Sequence, residues 1–318
     1  QHLQQQLQQQ QQSEGAASSR GHRREPEKDK PGRKQMSREE LLELIEEVYA
    51  CRAEAEASQP GVPDTLERHL YAHLAAEDAN GGSASAEALN VRAQAVFEAI
   101  QRHAGSCCEV AVFAKILQHR LPEASATTLI AQRDAVASEL RRVLDENYQN
   151  RQPREREALW RVWLRSGVPL AACDRVAHQL YAAPDANRLM EHMQRRAVSG
   201  GSGGRDAVQQ LEVSFEDFEQ SVLFFQVELT ERFLGDFARK FSELDVKGSG
   251  VLDPRGLAQL AMGVAAEDGD DTDGIAAALM SRAASEGHGG GAAFSRCVEV
   301  FSPALARRWD ARRTQGCY

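Results

Sequence analysis

Between Asp245 and Gly256 the chain reads DVKGSGVLDPRG, and oxygen-bearing groups fall at alternate positions of this twelve-residue run. Asp245 stands first, the Ser249 hydroxyl fifth, the Val251 carbonyl seventh and Asp253 ninth. Alternating oxygens around a tight turn are what a hard cation takes as ligands, at 2.3–2.6 Å. Gly250 stands sixth, where such a turn reverses sharply, and the apolar Leu252 stands eighth. Two elements must position these groups. Phe233, Phe237, Phe241 and Leu244 recur at three- and four-residue steps, which predicts a helix leading in with one apolar face. Asp253 and Pro254 form a helix start, a capping carboxylate followed by proline in the first turn.

Helix, twelve-residue loop and helix in this order resemble the EF-hand family, which binds calcium through loop positions 1, 3, 5, 7, 9 and 12. The resemblance implies calcium as the cofactor, held by Asp245, Ser249, Val251 and Asp253. Two ligands depart from the pattern: Lys247 puts an ammonium at position 3, and Gly256 stands where a Glu gives two oxygens. With charge and coordination number both reduced, the loop is expected to bind calcium weakly, at the millimolar end of the family's range, or not at all.

Hands usually occur in pairs, and two more segments carry the form. Downstream, GGAAFSRCVEVF has the cadence of a leaving helix and implies a loop from Ser285 to Arg296, with Gly290 at position 6 and almost no ligand oxygens. Upstream, EVSFEDFEQSVLFF reads as the back half of a loop with Val213 at position 8 and Asp217 at position 12. Its front half from Asp206 lacks the central glycine. Between them EDGDDTDGI, Glu267 to Ile275, is rich in carboxylates but fails in register. With Ile275 at position 8, Asp273 takes the glycine position, so an acidic solvated linker is expected there.

The whole chain has 318 residues, a net charge of −9, 42% hydrophobic and 6% aromatic residues. That length holds two or three domains with real cores. The negative charge argues against a nucleic-acid-binding body, which needs a basic face. Alternating β-type runs are scarce and helix formers dominate, so the expected fold class is all-α: a helical bundle followed by a degenerate EF-hand-like domain. No apolar run approaches the roughly 20 residues of a membrane span. Six cysteines without a CxxC or Cys/His cluster read as reduced thiols of the cytoplasm.

Residues 1–36, a glutamine tract and then mixed charges, are expected to be a disordered arm. QHLQQQLQQQQQ has neither an initiator methionine nor the apolar core of a signal peptide, so the chain is expected to be a fragment. Ser37 and Glu40 form a capping box ahead of Leu41, Leu44, Ile45 and Val48. Asp64 caps a second helix. Its His69 and His73 share a face at metal-pair spacing, but no third ligand is near and surface or half-buried histidines are expected. Further helices follow to about Val198, completing a bundle over 37–198. A Gly/Ser linker, 199–205, precedes the hand-like domain, 206–303, and a basic tail, 304–318. Ser214 and Asp217 signal a helix start, from which one long or slightly broken helix is expected to join the first and second hands.

Within the bundle REREALWRVWLRSG, Arg154 to Gly167, sets Trp160 and Trp163 among arginines. Basic amphipathic helices with aromatic anchors are ligands of hand-lined grooves. It is expected to dock on the chain's own C-terminal hands, to bind calmodulin, or to serve as a core helix with arginines outside. Together with Phe237 and Phe241, these tryptophans are the candidate partner-binding residues.

Three functions compete. The first is a calcium-responsive adaptor whose hands open to expose Phe237 and Phe241. The second is a calcium-independent scaffold that docks a protein partner, with the cytoskeleton or cilium as the setting that the resemblance implies. The third is an enzyme using His69, His73 or Cys107. No nucleophile, base and orienting group share recognisable spacing, so no enzymatic activity is expected.

Overall fold

A computed structural model describes the backbone of residues 35–58, 64–79, 86–200, 212–268, 281 and 291–314, and their side chains except 77–79, 196–200, 265–268 and 307–314. The fold is all-α. Helices α1 (Arg38–Ser58), α2 (Leu66–Ala79), α3 (Ala86–His103), α4 (Cys108–Leu117), α5 (Ala124–Asn147) and α6 (Pro153–Ser166) precede the strand β1 (Val168–Pro169). Then come α7 (Leu170–Leu180), α8 (Ala183–Gly200), β2 (Glu212–Val213), α9 (Phe215–Leu244), β3 (Val251–Leu252), α10 (Pro254–Asp268), β4 (Ala292–Ala293) and α11 (Phe294–Thr314). The arm to residue 34, linker residues 201–205, and residues 269–275 of the acidic stretch lie outside the described residues.

Helix starts follow local chemistry. The Glu40 N–H donates to Ser37 Oγ at 3.1 Å while the Ser37 N–H donates to Glu40 Oε2 at 2.8 Å, so two orphan donors of α1 are satisfied reciprocally. At α9 the Asp217 N–H donates to Ser214 Oγ at 3.0 Å. At α10 the Gly256 N–H donates to Asp253 Oδ1 at 2.8 Å. Before α2 the cap falls one residue later than Asp64: the Arg68 N–H donates to Thr65 Oγ1 at 3.4 Å, while Asp64 takes the N–H of Thr65. Within α11, Pro303 removes the donor that the Glu299 carbonyl needs, and the Ser302 hydroxyl donates to that carbonyl at 3.0 Å instead. The helix therefore runs through the expected tail.

The chain divides into two compact units, one of residues 124–230 and one joining 1–123 with 231–318. The boundary after Thr230 lies within α9.

In the unit of 124–230, Val136, Leu140 and Leu144 of α5, Cys173 and Val176 of α7, Leu189 of α8 and Phe218 of α9 form one buried cluster. β1 pairs antiparallel with β2, Val168 opposite Val213. Gly167 enters β1 at φ 139°, and a Cβ there would lie 3.0 Å from Glu212 Cβ. Only glycine meets both conditions without a shift. Trp163 is buried in the cluster, and Trp160 is half-buried with its ring edge-on to Phe215 at 6.3 Å. The 154–167 segment therefore packs as a core helix of this unit, with Arg141 over the Trp160 ring.

In the other unit α1 to α4 bury Leu41, Val48, Leu70, Phe97, Phe113 and Leu117. β3 pairs antiparallel with β4, Leu252 opposite Ala292 and Val251 opposite Ala293. Around this pair Phe237 and Phe241 of α9 meet Phe294 and Phe301 of α11, with ring centroids 5.1–6.0 Å apart.

Candidate functional site

α9 ends at Leu244 and α10 begins at Pro254, so the intervening turn is spanned by its own hydrogen bonds. Asp245 organises them. Its Oδ1 accepts the Ser249 N–H at 3.0 Å, and its Oδ2 accepts the Gly250 N–H at 2.6 Å. The Ser249 hydroxyl lies 3.1 Å from Asp245 Oδ1 and 3.0 Å from the Val251 carbonyl oxygen, with one proton to give. The Ser249 hydroxyl thus lies within hydrogen-bond distance of two other candidate oxygens, those of Asp245 and Val251. Asp253, the fourth, holds the start of α10 through the Gly256 N–H. Gly250 adopts φ 71°, the left-handed turn that its position needs, and its carbonyl accepts the Phe294 N–H at 3.3 Å across the β3–β4 pair.

The donor set fits calcium poorly. Asp245 is the one carboxylate aimed along the turn, against the 6–8 oxygens that calcium takes. Lys247 and Gly256 add none, although a Cβ at Gly256 would meet only ordinary contacts, 3.4 Å from Leu252 Cδ2 and 3.5 Å from Asp253 Oδ1. Among the described residues no group of three or more His, Cys, Asp and Glu side chains is placed to hold a metal ion.

One residue at this turn escaped the sequence reading. His119 follows α4 in left-handed backbone, φ 54°. The Arg120 N–H returns to the Lys115 carbonyl at 2.9 Å and the His119 N–H to the Ile116 carbonyl at 3.0 Å, the Schellman arrangement whose left-handed position is usually glycine. The His119 ring lies 6.3 Å from Phe241 and 6.4 Å from Phe294, centroid to centroid. It also covers Gly250: a Cβ there would be 2.5 Å from His119 Cε1 and Nε2. Nε2 is buried without a hydrogen-bond partner. Burial pushes the imidazole below its usual pKa, with the Asp245 carboxylate pulling the other way. A histidine after a helix end carries no sequence signal for such a role, since the expected residue is Gly or Asn.

No protein-family model, no curated protein and no solved structure matches the chain.

The other candidates are dispersed. His69 Nε2 lies 2.8 Å from Asp64 Oδ2, and His73 Nε2 lies 3.1 Å from Glu47 Oε2, so the two histidines face different carboxylates. Cys107 Sγ lies 3.2 Å from Glu109 Oε2. Glu123 joins Arg52 at 3.3 Å, and burial pushes its carboxyl above the usual range while Arg52 opposes the shift. Phe237 and Phe241 are buried, so a partner reaches them only if the helices part. On α6 the exposed apolar residues are Val162 and Leu164, beside Arg161 and Arg165, rather than the tryptophans. No helix among the described residues is long and apolar enough to cross a membrane.

Proposed function

We propose that this chain is a calcium-independent binding protein in which strand-paired helix–loop–helix units of EF-hand form serve as a fixed docking module for a protein partner. The observation that carries the reading is the closed turn at Asp245. Its carboxylate and the Ser249 hydroxyl are engaged by the turn itself, while positions 3 and 12 supply no oxygen. The EF-hand form is supported by register. Counting the loops from Asp245 and Ser285 makes Leu252 and Ala292 both position 8, and these two residues pair. Counting from Asp206 makes Val213 position 8, and its partner Val168 marks α6–β1–α7 as a fourth, shortened hand. A scaffold role in a cytoskeletal or ciliary assembly follows from the resemblance alone.

A weak calcium sensor is the second reading, favoured by the gathering of Asp245 Oδ1, Ser249 Oγ and the Val251 carbonyl oxygen, since ligand oxygens around such an ion also lie about 3 Å apart. Thermal unfolding separates the two. A site at a tenfold excess over its Kd adds about 1.4 kcal/mol, a shift of several degrees. The calcium-independent reading expects coincident midpoints in about 10 mM calcium and in chelator, and an upward shift in calcium that Asp245→Ala abolishes would sink it.

A further inference from the structure

We infer that His119 is a built-in lock on the 245–256 loop, supplying from within the chain the order that a bound ion gives a loop with a full ligand set. The inference rests on reading 245–256 as a hand loop. Four observations converge on it. The residue sits in left-handed backbone that a non-glycine side chain adopts only under constraint. Its ring lies against both Phe241 of the helix entering the loop and Phe294 of the neighbouring leaving helix. Its edge closes on Gly250, the one loop residue whose missing Cβ admits it, with Thr65 Cγ2 as the next neighbour, 3.2 Å from where that Cβ would stand. Its Nε2 is buried without a partner, a loss of hydrogen bonding that packing must outweigh.

The surrounding strap has the same direction. Lys115 Nζ lies 2.6 Å from Glu231 Oε2, Arg120 pairs with the same carboxylate, and the Glu123 N–H donates to Ser295 Oγ at 3.0 Å. Residues 115–123 thus touch α9, the loop through Gly250, and α11, with His119 making the contact to the loop. An ion orders such a loop by drawing its oxygens inward. Here Asp245 and Ser249 draw the oxygens together and the imidazole presses on the outer side of the turn, so the loop is shaped without charge neutralisation. Helices α1–α4 become part of the hand module, and the module is fixed for as long as this ring stays in place.

The test is amide hydrogen exchange on the full chain and on His119→Gly, which keeps the left-handed backbone and removes only the ring. In the native chain the Ser249 and Gly250 amides are expected to be protected in chelator. In His119→Gly their exchange should accelerate by about tenfold or more, while the amides of α1 and α5 keep their rates. Unchanged loop protection, or an equal acceleration along the whole chain, would overturn the lock. If His119→Gly does not fold, Gly250→Ala displaces the same ring by its Cβ and is read by the same amides. Failure of the underlying reading is seen separately. If calcium raises the protection of the native loop, the calcium-independent adaptor fails, whereas the effect of His119→Gly in chelator still decides the lock.

Discussion

Phe237→Ala should lower the stability of the unit containing α9 to α11 by about 3–5 kcal/mol, the range for removing a fully buried phenylalanine ring. Phe237 is buried and its ring lies 6.0 Å from Phe294 and 5.6 Å from Phe301, so its loss leaves a cavity where the two hand helices meet. Urea unfolding of the full chain measures the effect: the midpoint of the transition assigned to this unit falls while its slope is kept. A loss below about 1 kcal/mol would mean that the rings are not the core of the pair. The same burial bears on function, because residues whose truncation costs this much are poor candidates for a surface that a partner contacts in the closed state.

Gly250→Ala is the second large effect. The substitution places a Cβ in left-handed backbone, at about 1–2 kcal/mol, and drives it to 2.5 Å from the His119 ring, where overpacking costs a further 1–3 kcal/mol, about 2–5 in all. The two contributions separate in a double-mutant cycle. In the His119→Gly background the clash is gone, and Gly250→Ala should cost only the backbone share. A coupling of about 1–3 kcal/mol between positions 119 and 250 is expected. Strictly additive costs would show that the ring moves aside freely and does not press on the turn.

Much of this fold is legible in the sequence because helix ends are written in local chemistry. Ser37 with Glu40, Ser214 with Asp217, and Asp253 with Pro254 each set a helix start where expected, since a cap needs only residues three apart. The continuous α9 follows from the unbroken apolar spacing from Phe218 to Leu244. The turn at 245–256 follows from Asp245 and Gly250. Long-range pairings were not legible. The strand at Val168 carries no sequence signal, because a two-residue strand has no periodicity, and only its partner at Val213 gives it meaning. The joining of 1–123 with 231–318 depends on contacts such as Glu123 with Ser295, more than 170 positions apart. His119 was invisible for a similar reason: its backbone is set by α4 and its purpose by a glycine far along the chain.

The most direct test of the central claim is a calorimetric calcium titration of the full chain beside a variant carrying Lys247→Asp and Gly256→Glu. These changes restore oxygens at positions 3 and 12, and a Cβ at Gly256 meets only ordinary van der Waals contacts. If 245–256 is a hand loop that has lost its ion, the native chain gives no binding heat up to millimolar calcium, and the restored variant gives a saturating isotherm that Asp245→Ala removes. A native chain that binds calcium through Asp245 would contradict the calcium-independent account. A folded variant that stays silent would contradict the reading of the loop as a hand.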